Sequence, residues 1–231
     1  QCNDGEVVRL QPDVRLVLGM LAEMNLPQIE SLGAQGARDF LTEFNKGRPA
    51  GRPVGEVGSG ALQGADGPLP YRLYRPATPG PHPIVVYFHG GGWVLGDQQS
   101  DDPFCRDMCR RTDMIFVSVG YRHAPEHRFP AAAEDGYAAT RWIGEHAAPF
   151  VHSDSGGDIV VTGASFGAYH AANFALKRAD LFPLAICMSG VYDVSVVGWG
   201  ERAEAVYFNN PMDYVQHLHG DHLEWLRSRV S

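Results

Sequence analysis

Residues 163–178 read GASFGAYHAANFALKR, a serine held between two glycines just ahead of a run with helical periodicity. Gly163-Ala164-Ser165-Phe166-Gly167 matches G-x-S-x-G, and the apolar run DIVVTGA before it reads as a strand. Placed between a strand and a helix, that spacing makes a turn so tight that only small residues can flank the serine. The hydroxyl then projects from the top of the sheet as a nucleophile, and the helix N-terminus behind it favours negative charge. The bland alternative is a strand-to-helix turn in which Ser165 only caps the helix.

His89-Gly90-Gly91-Gly92 is the second chemical feature. Acyl transfer builds negative charge on the carbonyl oxygen, and backbone N–H groups aimed at that oxygen contribute roughly 3 kcal/mol each. Glycines let a loop approach closely enough to aim them. The expected donors are the amides of two of Gly90, Gly91 and Gly92 together with that of Phe166, the residue after the nucleophile. The Phe166 ring takes no part in that role and is expected to shape the acyl pocket. A plain flexible loop is the alternative; a phosphate loop would need a G-K-[ST] ending that is not here.

A serine hydroxyl needs a histidine to take its proton and a carboxylate to orient that histidine. The histidines after Ser165 are His170, His217, His219 and His222. His170 lies one helical turn on, where the helix points it away from the hydroxyl. A Ser165–His222–Asp193 triad can be written, with Asp193 following the apolar run PLAICMSG; polar surface residues are the other reading. His217-x-His219-x-Asp221-His222 also matches H-x-H-x-D-H, a metal-binding pattern. It lacks the preceding buried strand and the downstream ligands such a site uses, so no metal is expected, and the serine chemistry needs no organic cofactor.

The elements that must position these groups follow from pattern. Residues 11–46 read as two helices broken near Pro27, the second from about Ser31 to Phe44. Residues 47–69 are rich in Gly and Pro and read as a linker passing into turns, with a short strand near Val54–Val57. From Tyr71, apolar runs YRLYRP, PIVVYFHG, MIFVSVGY, DIVVTGAS and PLAICMSG alternate with helical stretches at 101–111, 131–145 and 166–178. Strands alternating with helices predict an α/β fold with a mostly parallel sheet. HGGGW, GYRHAPE and GASFG each end a strand, where active groups gather in such sheets.

PIVVYFHGGGWVLGD and VGYRHAPEHRFPAAAEDGYAA resemble the hormone-sensitive-lipase-type carboxylesterases of the α/β-hydrolase superfamily, over about Leu10 to Trp142. The resemblance implies an α/β-hydrolase fold, a helical N-terminal cap over the acyl pocket, HGGG amides as the oxyanion hole, and bracing roles for Arg122 and Glu126. From about 158 to 215 the likeness changes. Those esterases have Asp before the nucleophile and Ala-Gly-Gly after it, where this chain has Ala164 and then Phe166-Gly167-Ala168. GASFGAYHAANFALKRADLFPLAICMSGVYD and YFNNPMDYV are similar to the putative esterases related to S-formylglutathione hydrolase. A chimeric chain joined near Ile143–Gly157 is the expectation. In both groups the acid and histidine come later than residue 231, so a C-terminal truncation that omits the last strands is expected too.

The division expected is a cap segment at 1–48 and a hydrolase core at 49–231. The formal charge of −8 argues against nucleic acid as partner. No run of about 18 apolar residues offers a membrane span. QCNDGEVVRL lacks the basic flank and apolar core of a secretory signal, and its leading Gln suggests a processed chain or a fragment. Cys2, Cys105, Cys109 and Cys187 form no zinc-like pairs, and Cys105 and Cys109, one helical turn apart, suit neither a disulfide nor a metal clamp. Reduced thiols in the cytoplasm are expected, with a secreted protein carrying one non-local disulfide as the alternative. The function expected is hydrolysis of short- to medium-chain acyl esters, with a small-molecule ester as partner. A thioesterase would use the same parts. Its competitors are a rearranged hydrolase without turnover and a zinc hydrolase. An unpaired sheet edge near Ile186 predicts a homodimer or poor solubility.

Overall fold

A computed structural model describes residues 11–146, 159–178, 182, 184–194 and 209–227; in the last stretch side chains are described through Asp221 and at Leu223 and Glu224. Helix α1 spans Pro12–Glu23 and α2 Gly33–Asn45, with a 3-10 turn at Ile29–Leu32 between them. Strands β1 (Glu56–Gly64) and β2 (Gly67–Arg75) form an antiparallel hairpin closed by Ala65-Asp66. Then come β3 (Ile84–Phe88), α3 (Asp102–Thr112), β4 (Ile115–Val119), α4 (Ala131–Glu145), β5 (Ile159–Ala164), α5 (Phe166–Lys177) and β6 (Leu184–Met188). Short helices α6 (Pro211–Tyr214) and α7 (Gly220–Arg227) follow.

The sheet order is β1-β2-β4-β3-β5-β6, with β3, β4, β5 and β6 parallel, β2 antiparallel to β4, and β1 antiparallel to β2. IVVYF and IFVSV are buried along their whole length, as strands covered on both faces must be. Alternate side chains serve the two faces. Ile84, Val86 and Phe88 join a core with Ala139 and Ile143 of α4 and Tyr169 and Phe174 of α5. Val85 and Tyr87 join a second core with Cys105 and Cys109 of α3.

The chain leaves β3 for β4 on one side and later returns to β5 on the other. The order therefore reverses at β3, and the crevice at the carboxyl ends of β3 and β5 is the topological switch point. HGGG begins where β3 ends and Ser165 where β5 ends. Phe88 stands opposite Gly163 in the ladder, so the register itself brings the two motifs side by side.

The hairpin corrects the expectation of a linker at 47–69. Leu62 and Leu69 are buried in the main core, and Asp66-Gly67 is a turn signal between two nine-residue strands. The second helix starts two residues later than expected and is preceded by the 3-10 turn. Helix α1 buries no residue, and Leu16, Val17, Met20 and Met24 are all exposed. At the far edge, Leu184 and Ile186 of β6 are each 51% exposed. Residues 147–158, including most of the expected join, lie outside the described residues.

Candidate active site

Ser165 stands between the last residue of β5 and the first of α5 with φ 54° and ψ −119°, a conformation costing a non-glycine residue about 1–3 kcal/mol. Its neighbours explain the glycines. A Cβ at Gly163 would fall 2.3 Å from the carbonyl carbon of Gly167 and 2.7 Å from the Phe88 oxygen. A Cβ at Gly167 would fall 2.0 Å from that same Phe88 oxygen. The turn is therefore closed against β3 by main chain alone, and G-x-S-x-G is a clearance requirement.

The HGGG loop lies against the serine. A Cβ at Gly90 would sit 3.3 Å from Ser165 Cβ and 3.0 Å from the Ala164 carbonyl oxygen. Gly91, Gly92 and Trp93 follow with φ of 120°, 63° and 60°, a run of positive φ that turns the loop back on itself. The amides of Val94 and Leu95 both donate to the Gly91 carbonyl, at 3.1 and 2.8 Å, and close the turn. Gly96 packs beneath it: a Cβ there would lie 2.6 Å from the Gly90 oxygen and 2.8 Å from His89 Nδ1.

The amide of Phe166 belongs to the first turn of α5, whose leading N–H groups have no acceptor within the helix. Its ring is buried edge-on to Trp93, with centroids 4.6 Å apart.

Two histidines beside the loop are held in other work. His89 Nδ1 donates to the Gly90 carbonyl at 2.8 Å, its ring stacks on Tyr121 at 4.4 Å, and the Tyr121 hydroxyl donates to the His89 carbonyl at 2.6 Å. His170 Nε2 accepts from Trp93 Nε1 at 2.8 Å, which fixes the indole behind the loop. Burial lowers the His89 pKa, pushes His170 down to about 3, and takes His123, whose ring meets His89 edge-on at 5.3 Å, down to about 4. His170 faces the core, as its place in the helix predicts.

GYRHAPE braces these loops. Arg122 donates from its backbone N–H and Nε to Asp135 Oδ2 at 3.1 and 2.7 Å, and from Nη2 to Oδ1 at 2.9 Å. Asp135 is fully buried, and Arg122 Nη1 reaches Asp66 in the hairpin turn at 3.0 Å. Glu126 takes both terminal nitrogens of Arg38 from helix α2, each at 2.8 Å. That bond holds the Glu126 carboxyl down to about 2. Both side chains are structural ties, as the sequence resemblance implies, whereas Arg38 belongs to no motif and escaped the sequence reading.

Asp193 lies past β6 and accepts from Asn210 Nδ2 at 3.1 Å; the same nitrogen donates to Asp213. His222 is in α7, and its side chain lies outside the described residues. His217 Nδ1 and His219 Nδ1 bond to the carbonyls of Asp213 and His217. Among the described residues no three His, Cys, Asp or Glu converge as metal ligands. A cavity of about 520 Å³ lies between α2 and the loop after HGGG, lined by Arg38, Asn45, Arg48, Gly96, Ser100 and Pro103.

Known proteins with related sequences are esterases. The chain is 42% identical to Esterase LipI of Mycobacterium tuberculosis over 154 residues, covering 63% of this chain and 48% of that one. It is 39% identical to Carboxylesterase NlhH of the same organism over 147 residues, covering 59% and 44%. The chain thus spans about half the length of the curated relatives it matches. Among solved structures, the LAE6 α/β hydrolase (a Ser161Ala mutant) from the Lake Arreo metagenome superposes with a TM-score of 0.72 at 29% identity, over 80% of this chain and 61% of that one. A thermostable esterase from Pseudomonas putida gives 0.71 at 26%, over 98% and 70%. The family model described as alpha/beta hydrolase fold matches residues 85–209, running through 143–157 where the sequence likeness changes. With both motifs at the switch point of a sheet of this order, the chain belongs to the α/β-hydrolase fold family.

Proposed function

We propose that the protein is a carboxylic ester hydrolase acting through Ser165 on short- to medium-chain acyl esters. The observation that carries this reading is the contact of the Gly90 turn with a serine held at positive φ between β5 and α5. Ser165 Oγ adds to the ester carbonyl, its proton passes to a base, and the oxygen that becomes negative is met by amides of Gly90, Gly91, Gly92 and Phe166. The alcohol leaves as the carbonyl re-forms, and water then releases the acid from the acyl-enzyme. Asp193 and His222 are the acid and base of this reading, and it requires no cofactor. The esterase names of the relatives support the reaction class.

Residues 1–48 act as the cap segment and 49–231 as the core. Helix α1 supports this, since it turns apolar side chains outward where an acyl chain could lie. The partner is a small uncharged ester. No described helix is long and apolar enough to cross a membrane. The free Cys105, Cys109 and Cys187 support a reducing compartment, the cytoplasm. The open β6 edge supports a homodimer.

A second reading, a hydrolase-like binding protein without turnover, is favoured by one observation: His89 and His170 are committed to core contacts, and burial keeps both neutral. Labelling the purified chain with a fluorophosphonate separates the two. Rapid stoichiometric labelling that disappears in Ser165→Ala is the expected result. A folded chain that takes no label overturns the esterase reading in favour of the second.

A further inference from the structure

One guanidinium ties the helical N-terminal segment to both loops at the switch point. Arg38 Nε donates to the Val94 carbonyl at 2.8 Å, and Nη2 donates to the Ala124 carbonyl at 2.7 Å. Nη1 and Nη2 fork onto the Glu126 carboxylate. Val94 directly follows HGGGW, and its own N–H closes the turn onto Gly91. Ala124 belongs to HAPE, and its N–H donates to the Trp93 carbonyl at 2.8 Å. Arg38 therefore grips the oxyanion loop at Val94 directly and at Trp93 through Ala124. The grip has angular precision, because a guanidinium is planar and offers its donors in a fixed fork.

We infer that Arg38 is a positioning residue: through Val94 and Ala124 it holds the Gly90–Trp93 turn in place over Ser165 and makes the oxyanion hole depend on helix α2. This rests on the esterase reading for its catalytic consequence, and on the hydrogen bonds alone for its mechanical one. A carbonyl held by Arg38 lies only two residues beyond Gly92, so freeing it lets the glycine amides wander. Displacement of about 1 Å in such donors costs up to a hundredfold in rate. Glu126 orients the fork from the solvent side, where its carboxylate is half exposed. Lysine can satisfy one carbonyl or the carboxylate, but not all three acceptors.

Two measurements on the full chain test it. The first is fluorophosphonate labelling resolved into its reversible affinity and its first-order inactivation rate. Arg38→Gln is expected to lower the rate about tenfold and leave affinity within about twofold, with Arg38→Lys in between. The second is hydrogen exchange by mass spectrometry. Arg38→Gln is expected to speed exchange at the Val94 and Leu95 amides while helix α5 keeps its protection. A merely structural arginine would lower protection broadly and leave the inactivation rate of the folded fraction unchanged; that pattern overturns the inference while Ser165 still labels. If the wild-type chain takes no label, the esterase reading has failed, and exchange at Val94 and Leu95 alone decides whether Arg38 holds the turn. If Arg38→Gln does not fold, Glu126→Gln replaces it, with a smaller fall in the same rate expected; an unchanged rate there overturns the proposal.

Discussion

The Ser165 amide donates to the carbonyl of Met188 at 2.9 Å. The nucleophile's own N–H is thereby spent on edge strand β6, and the Phe166 amide is left as the donor on the helix side. β6 thus matters to the site twice: it anchors the serine, and among the described residues it is the outermost strand on that side of the sheet.

If this edge mediates self-association, charges on it should separate the copies without disturbing the elbow. Leu184→Lys with Ile186→Lys is expected to convert a dimer to a monomer in light scattering and to keep Ser165 labelling, since both side chains are half exposed. A wild-type chain that is already monomeric removes the dimer.

The glycines of the elbow admit no methyl. Gly167→Ala is expected to destabilise the fold by about 3 kcal/mol or more, because the clash is with the Phe88 main chain and not with a side chain that could rotate. Urea unfolding checks this. Gly92→Ala is the contrasting case: nothing lies within 4 Å of its Cβ, so only the positive φ opposes it, costing about 1 kcal/mol.

Asp135→Ala leaves the Arg122 guanidinium, largely buried, without its bidentate partner. A loss of about 3 kcal/mol is expected in chemical unfolding. Asp66→Ala, which removes the exposed member of the same group, is expected to stay within about 0.5 kcal/mol.

Acid should unfold the protein through its buried imidazoles. The His170 pKa falls to about 3 in the folded state because burial penalises its charged form. The unfolded chain binds that proton near pH 6.5, so stability is full above about 6.5 and declines as pH drops towards 3. His170 alone contributes about 1.4 kcal/mol per pH unit in that window. Urea midpoints at pH 7, 6 and 5 should decline less steeply in His170→Leu than in the wild-type chain. Parallel slopes would mean that His170 does not titrate on unfolding.

The motifs were legible because their meaning is local. G-x-S-x-G and HGGG encode steric clearances within a few residues, and uninterrupted β-branched runs such as IVVYF encode strands buried on both faces. The β1–β2 hairpin was missed because Gly58, Gly60 and Gly64 look like linker composition. Asp66-Gly67 and the burial of Leu62 opposite Leu69 are what make it a ribbon. Arg38 was illegible for a different reason. Its acceptors are the carbonyls of Val94 and Ala124, 56 and 86 residues away, and a backbone carbonyl leaves no mark in a sequence. The base and acid also stayed open. Asp193 is tied to Asn210, and His222 lies in a helix whose position along the chain does not determine what its ring meets.

The switch point is assembled almost wholly from main chain: Phe88 against Gly163 and Gly167, Gly90 against Ala164 and Ser165, Gly96 against Gly90. Backbone surfaces have nearly the same shape whatever residues flank them. Side chains elsewhere on β3 and β5 can therefore vary and the two strand ends still mesh, provided each supplies glycine at the points of closest approach. Strand β3 carries the loop and β5 the serine, and one family model spans both, so what the two must share at their meeting point is an absence of side chains.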